Sequence, residues 1–278
     1  MKNTMIKTVA TLALIFSTSY THASERIISA GSAVTELIFA LDQQDKLVAV
    51  DVTSELPKEL GLPKIGYHRR LSAEGLLALG ANRLIGSDEM GPETTLSQLK
   101  SAGVKVDIVN TKPTPEGLLE RIDEIAEITG AEQQAENLKV TVNKQIAALA
   151  NNQTDSAKKV LFLLIHEGRP ANVAGKDTTP NAIIELAGGV NPAAEQLTSY
   201  KPLSTEAMVQ MQPDVILVSG RSYDKMGGAD QILSKMPLLA ATPAGQNKRI
   251  IKVDGHALVG GLGLKSLSEA ERLSQLLK

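Results

Sequence analysis

The chain has 278 residues, of which 42% are hydrophobic and 22% are charged, and its formal net charge is −2. This composition is that of an ordinary folded protein, and a mildly acidic chain is unsuited to nucleic acid or to an anionic membrane surface. The sequence contains no cysteine, which excludes both a disulfide framework and a lipid-modified thiol.

The first 23 residues have the layout of a secretory signal peptide. Lys2 and Lys7 precede an apolar stretch at residues 9–16, and residues 21–23 offer a small-residue cleavage site. The stretch is too short to be retained as a membrane span, and no later segment reaches about 18 consecutive apolar residues. We therefore predict cleavage after Ala23 and a mature periplasmic protein that is monomeric and not inserted into the membrane.

Strand-like runs alternate with helical patterns along the mature chain. Strands are predicted at residues 26–30, 47–50, 83–85, 104–109, 160–165, 215–218 and 249–253. Helical patterns follow at residues 32–41, 94–102, 115–129, 131–150, 181–187 and 267–277. This alternation predicts an α/β fold whose mostly parallel sheets are covered by helices on both faces.

One segment occurs twice. LSAEGLLALGANRLIGS starts at Leu71 and LSTEAMVQMQPDVILVS starts at Leu203, so that Glu74 in the first copy corresponds to Glu206 in the second. Solenoid repeats recur every 20–50 residues or so, and a longer period indicates two similar Rossmann-like lobes. A cleft between two lobes is a usual place for a small ligand.

A long helix is predicted between the two copies. Gly130 ends one helix, and residues 131–150 contain neither glycine nor proline; at about 1.5 Å per residue they would form a helix about 30 Å long. We predict an N-terminal lobe at 24–130, one connecting helix at 131–152 and a C-terminal lobe at 153–278. The alternative is a surface helix within one lobe.

Tyrosines and histidines mark the candidate site. Tyr67 and Tyr200 occupy matching loops ahead of the repeated helices, Tyr223 follows a predicted strand, and His166 stands at the end of an apolar strand. Ligands of such sheets lie beyond the carboxyl ends of the strands. His256 lies in a glycine-rich loop, where we expect packing rather than ligand contact.

The sharpest cluster is Tyr67-His68-Arg69-Arg70. Positive charge beside a phenol favours the phenolate, and tyrosine is an axial ligand of haem iron in some proteins. Arginine also pairs bidentately with carboxylates such as haem propionates. Taken alone, the cluster is equally compatible with a solvated loop.

With these motifs the chain resembles the periplasmic haem-binding component of bacterial haem ABC importers, a class III substrate-binding protein with a helical backbone. The segments that carry the resemblance are AGSAVTELIFAL, KIGYHRRLSAEGLLAL, LSTEAMVQMQPDVILVS and AATPAGQNKRIIKVDGHALVGGLG. It implies ferric haem between the lobes, with Tyr67 as an iron ligand assisted by Arg69. His166 would bind iron on the opposite face or on a second stacked haem, and the resemblance leaves both arrangements open. Arg70, Tyr200 and Tyr223 would line the pocket.

The resemblance also implies that Glu74 and Glu206 dock onto arginines of the inner-membrane ABC permease. The alternative is that each glutamate only offsets the positive end of its helix. A cobalamin or ferric-siderophore carrier of the same fold is the alternative ligand class, although the Tyr-His-Arg-Arg cluster and the absence of tryptophan count against it. A periplasmic enzyme with a haem or metal cofactor is the alternative from another class. Because no acid–base or nucleophile constellation is recognisable, we expect a carrier and not an enzyme.

Overall fold

The computed structural model describes residues 25–151, 157–166 and 168–278, and the predicted signal peptide lies outside them. The strands are β1 Ile27–Ala30, β2 Leu47–Val50, β3 Arg83–Ser87, β4 Lys105–Val109, β5 Val160–Leu164, β6 Asn172–Ala174, β7 Tyr200–Pro202, β8 Val215–Ser219 and β9 Ile250–Val253. The helices are α1 Ser32–Ala40, α2 Ala73–Ala78, α3 Glu93–Ser101, α4 Pro115–Thr129, α5 Glu132–Ala150, α6 Thr179–Leu186, α7 Thr205–Gln210, α8 Gly220–Met226, α9 Ala229–Lys235, α10 Pro243–Gln246 and α11 Leu264–Leu277. None of the helices in the described ranges is both long and apolar enough to cross a bilayer.

The N-terminal sheet has the order β2-β1-β3-β4, and its neighbouring strands are parallel. Successive side chains of a strand point to opposite faces, and both faces are buried here. Ile27 joins a cluster with apolar residues of α1 and α4, whereas Ile28 joins a cluster with Leu76 of α2 and Leu99 of α3. The helices therefore cover both faces of the sheet, and the predicted α/β class is confirmed.

The C-terminal sheet has the order β7-β6-β5-β8-β9. Strands β5, β8 and β9 are parallel, while β6 runs antiparallel to both β5 and β7. Phe162 and Leu163 point into different hydrophobic clusters, so this sheet is also buried on both faces. The antiparallel pair β6–β7 was not predicted from the sequence.

The two copies of the repeated segment occupy equivalent places in the two sheets. Strand β3 lies beside β1, and β8 lies beside β5. The helix that precedes each of these strands begins with a serine cap: the Ser72 hydroxyl accepts a hydrogen bond from the N–H of Gly75 (3.4 Å), and the Ser204 hydroxyl accepts one from the N–H of Ala207 (3.3 Å). The repeat thus corresponds to two similar halves of the fold.

Helix α5 lies between the two sheets in the chain and contacts helices of both halves. It starts after Gly130, whose φ of 69° is a left-handed conformation that glycine adopts without strain. It packs against α4 on one side and against α6 and α11 on the other. Val142 of α5 belongs to a single hydrophobic cluster that also contains Ile27 and Phe162, so one continuous core joins the halves.

A second connection is the segment before and at the start of α11, which packs back on the N-terminal half. The fully buried Arg121 of α4 donates a hydrogen bond to the carbonyl of Leu262 (2.9 Å). Glu36 of α1 accepts hydrogen bonds from the N–H groups of Leu264 (2.6 Å) and Lys265 (3.1 Å). Burial raises the pKa of Glu36 to about 7, although the two backbone hydrogen bonds and the charges of Lys265 and Arg121 oppose the rise.

Candidate functional site

The carboxyl ends of the parallel strands carry the polar and aromatic residues of the candidate site. Asp51 follows β2, Glu89 comes two residues after β3, His166 follows β5, and Tyr223 lies in the helix that follows β8. Tyr67 lies in the long loop between β2 and α2. Ligands of open parallel sheets bind at this edge, which is the location that the sequence predicted.

The backbone around Tyr67 directs its side chain outward. Gly66 has a φ of 87°, which permits a turn that other residues adopt with strain. Tyr67 follows with extended backbone angles and precedes a single turn of 3₁₀-helix, His68–Arg70. Its side chain is 41% exposed, and the neighbouring Val52 is 44% exposed. The backbone N–H of Val52 donates to the carbonyl of Gly66 (2.9 Å), so the start of this loop is held against the residue before Tyr67.

His68 supports this loop from the interior. Its side chain is 1% exposed, and its ring centroid lies 4.4 Å from that of Tyr67, with the ring planes tilted by 55°. Its Nδ1 lies 2.8 Å from Oδ2 of the fully buried Asp51. Its Nε2 faces Oε2 of Glu89 at 3.6 Å. Sequence reasoning assigned no role to these three residues.

The pKa values of this cluster shift in the directions expected for mutual stabilisation. Burial opposes the charged imidazolium, but the hydrogen bond to Asp51 and the nearby Glu89 carboxylate outweigh it and raise the pKa of His68. Burial likewise opposes the Asp51 carboxylate, but hydrogen bonds from His68, Thr53 and Ser54 outweigh it and lower the pKa of Asp51. The pKa of Glu89 is lowered mainly by His68. The cluster therefore favours two carboxylates around an imidazolium.

The two arginines after His68 have different surroundings. Arg69 forms an ion pair with Glu89, so its guanidinium is shared with the carboxylate that also faces His68. Arg70 is exposed, and its backbone N–H donates a hydrogen bond to the carbonyl of Tyr67 (2.8 Å). Within the described ranges the guanidinium of Arg70 has no ion-pair partner. Arg70 is therefore available to an anionic group of a ligand.

Tyr200 brings the second half of the molecule to the same place. It lies on β7, is 37% exposed, and packs edge-to-face on Phe162 with ring centroids 6.4 Å apart. Burial raises the pKa of its phenol, the negative charge of Glu89 raises it further, and the positive charge of Arg69 opposes the rise. Glu89 and Arg69, which lie near Tyr67, therefore also influence Tyr200 of the other half. This is expected if Tyr67 and Tyr200 lie on two sides of one cleft.

His166 and Tyr223, the other two predicted ligand residues of the C-terminal half, make no direct contact with Tyr67 among the contacts of the described residues. His166 is exposed after β5, and its carbonyl accepts a hydrogen bond from the N–H of Arg169 (3.3 Å). Tyr223 is half-buried in α8 and packs partly against the core of its own half.

A separate cluster crosses between the halves near His256. Ligand-type atoms of Glu55, Asp254 and His256 lie within 4.8 Å of one another. The Lys265 ammonium forms an ion pair with Glu55 and lies 4.0 Å from Asp254, so a cation of the chain itself occupies this cluster. His256 bonds through Nδ1 to Oδ1 of Asp254 at 2.9 Å, and its side chain is partly exposed.

The two predicted docking glutamates are equivalent and exposed. Glu74 lies in the first turn of α2, and Glu206 lies in the first turn of α7. Both side chains are exposed, and neither forms an ion pair with any residue that the structure describes. Each carboxylate is therefore available to a positively charged partner.

Comparison with known proteins identifies the family and confirms the predicted resemblance. A family model described as "Periplasmic binding protein" matches residues 27–257. The crystal structure of the periplasmic heme-binding protein HutB of Vibrio cholerae has 63% sequence identity and a TM-score of 0.88, and the match covers 92% of this chain and 99% of that one. The periplasmic heme-binding protein RhuT of Roseiflexus sp. RS-1, in apo form, has 38% identity and a TM-score of 0.86, with 91% and 98% covered.

A vitamin B12-binding protein is also similar, but less so. The protein of Vibrio parahaemolyticus serotype O3:K6 (strain RIMD 2210633) is 27% identical over 229 residues, which are 81% of this chain and 82% of that protein. The comparisons thus join the haem-binding and cobalamin-binding proteins in one fold, with the higher identities on the haem side.

Proposed function

Because this chain belongs to the periplasmic binding protein family, we propose that it is a periplasmic carrier that binds ferric haem between its two lobes. The observation that carries the proposal is the exposed phenol of Tyr67, which packs on the ring of His68 and is followed in the same turn by Arg69 and Arg70. A phenolate is a suitable axial ligand for ferric haem iron. The 63% identity to a periplasmic heme-binding protein supports the same ligand.

Each residue of the cleft has a distinct part in this proposal. Tyr67 binds the iron, and Arg70 pairs with a propionate, since its guanidinium is exposed. Arg69 keeps positive charge beside the phenolate while it is held by Glu89. Tyr200 and Tyr223 line the pocket from the other lobe. These roles rest on chemistry and placement, because phenolate suits ferric iron and guanidinium suits carboxylate.

His166 is the proposed second iron ligand. It follows β5 at the carboxyl edge of the C-terminal sheet, and it is exposed. An imidazole there can bind the face of the haem opposite Tyr67, or the iron of a second haem stacked on the first. Each arrangement requires a free imidazole nitrogen, and His166 uses only its backbone carbonyl in the contacts described.

We also propose that Glu74 and Glu206 bind the inner-membrane ABC permease to which haem is delivered, and that the carrier acts as a monomer and not as an enzyme. The equivalent positions and exposure of the two carboxylates support two-point docking. Lobes at residues 24–130 and 153–278, joined by a helix at 131–152, suit this role. A continuous core through α5 limits relative motion of the lobes that carry the two docking points.

The test is an absorbance titration of the purified mature protein with hemin. We expect a saturable Soret band, a weakened and shifted band in Tyr67→Phe, and a smaller change in His166→Ala. The endpoint distinguishes one haem from two. Cobalamin and a ferric siderophore are titrated in parallel, because the cobalamin-binding relative shares the fold. Saturable binding of either one without a saturable hemin band would refute the proposal.

A further inference from the structure

We infer that His68, held between Asp51 and Glu89, is a positioning residue that fixes the direction of Tyr67 and keeps Arg69 beside it. His68 does not itself bind the ligand in this account. The inference rests on the proposed function, since it concerns how the same site is held ready for haem.

Tyr67 and His68 are consecutive residues with different surroundings. Tyr67 has an extended backbone, with φ of −89° and ψ of 131°. His68 follows in the 3₁₀ turn, and its buried imidazole packs against the ring of the exposed Tyr67. Fixing the imidazole in the interior therefore fixes one side of the phenol. The ring contact at 4.4 Å then limits how far the tyrosine can tilt.

Asp51 is anchored through its side chain and its backbone. Its carboxylate accepts hydrogen bonds from the hydroxyls of Thr53 (2.8 Å to Oδ2) and Ser54 (2.8 Å to Oδ1), and its N–H donates to the carbonyl of Ser29 (3.0 Å). The Ser54 hydroxyl is also hydrogen-bonded to the hydroxyl of Thr35 in α1 (2.7 Å). Asp51 is therefore a rigid acceptor, fixed to β1 and to the start of α1.

Glu89 joins His68 to Arg69. Its carboxylate lies opposite Nε2 of His68, a buried atom with no hydrogen-bond partner among the described residues, and it forms the ion pair with Arg69. The N–H of Gly91 donates to the carbonyl of His68 (3.0 Å). The 3₁₀ turn after Tyr67 is thus tied to Asp51 at the start of its own loop and to the loop after β3.

Such anchorage matters because a ligand group held in its binding direction avoids the loss of freedom on binding. If a variant leaves Tyr67 in this direction in only about one molecule in ten, apparent haem affinity falls about tenfold. In such a variant, a smaller share of the haem is bound through the Tyr67 phenolate. A change in the Soret spectrum therefore reports on positioning, which a loss of stability alone would not produce.

Substitutions at His68 separate positioning from folding. His68→Phe keeps a buried ring but removes both nitrogens, and we expect about tenfold weaker haem binding and a Soret band displaced toward that of Tyr67→Phe. His68→Asn keeps a donor close to Nδ1, and we expect it to restore most of the affinity and the wild-type spectrum. Glu89→Gln, at a more accessible position, is expected to weaken binding severalfold.

Ile122→Ala is the matched control, because Ile122 is fully buried in the core on α4 and outside the Tyr67 loop. It is expected to lower the urea midpoint without changing the haem spectrum. Wild-type affinity and spectrum in a folded His68→Phe would overturn the inference, as would an equal spectral change in Ile122→Ala. If His68→Phe does not fold, an unchanged haem affinity in Glu89→Gln overturns it. Absence of a saturable band in the wild type would instead refute the proposed function.

Discussion

Glu36 offers a test of how the two halves are joined. Its carboxylate accepts hydrogen bonds from the first two N–H groups of α11, and its pKa is raised to about 7 by burial. Glu36→Gln keeps an oxygen acceptor toward α11 but removes the ionisation. The variant therefore isolates the effect of a buried charge at this contact on the free energy of unfolding.

The direction of the effect follows from the raised pKa. A carboxyl with a folded-state pKa of about 7 and an unfolded value of 4.5 binds its proton more tightly in the folded protein. Its stabilising contribution is complete below pH 4.5 and is lost as the pH rises through 7. Because one pKa unit corresponds to 1.36 kcal/mol, the contribution falls by about 2.5 kcal/mol between pH 5 and pH 8.

The assay is urea unfolding of the wild type and Glu36→Gln at pH 5, 6, 7 and 8. The other carboxylates titrate in both proteins, so the difference in unfolding free energy between them reports on Glu36. We expect the wild type to lose about 2.5 kcal/mol relative to the variant over this range, most of it below pH 7. A constant difference would show that Glu36 titrates near its ordinary pKa, and would refute the account of this contact.

Three further predictions concern the docking residues, the cleft and the repeat. Glu74→Ala combined with Glu206→Ala is expected to leave hemin affinity unchanged and to reduce haem uptake by cells, so unimpaired uptake would contradict docking. Arg70→Ala is expected to weaken binding of hemin but not of its dimethyl ester, measured by titration, because an esterified propionate cannot form the ion pair. Equal losses of affinity for hemin and for its dimethyl ester would show that Arg70 does not pair with a propionate. Ser72→Ala and Ser204→Ala are each expected to cost about 1 kcal/mol in urea unfolding, and unequal costs would contradict the equivalence of the caps.

The fold was largely predictable because its strands are apolar runs separated by glycine and proline. Strand β2 was predicted at its observed bounds, and α5 follows the glycine that marks its start. The antiparallel strands β6 and β7 were missed, because segments of three residues carry no periodicity. Helix α8 was not predicted, because a short segment beginning with glycine is typical of a loop.

The candidate site was predictable only in part. Tyr67 and its arginines are contiguous, so their shared chemistry is visible in the sequence. The partners of His68 are distant in sequence, and only the parallel arrangement of β2 and β3 brings Asp51 and Glu89 to the same ring. One usable signal exists: Asp51 comes directly after one predicted strand and Glu89 a few residues after another, and side chains of such loops meet at the carboxyl edge of a parallel sheet.

The contacts of Arg121 and Glu36 also bear on when the N-terminal lobe can finish folding. The partners of these residues lie 141 and 228 positions later in the chain. When the chain emerges N-terminus first from the export machinery, the guanidinium and the carboxylate lack these partners until residues 262–265 have also emerged. Contacts of such long sequence separation slow folding. Until they form, the Arg121 guanidinium has the carbonyls of Asn110 (2.6 Å) and Lys112 (3.3 Å) as acceptors but lacks that of Leu262. Completion of the first lobe therefore awaits the last helix of the second.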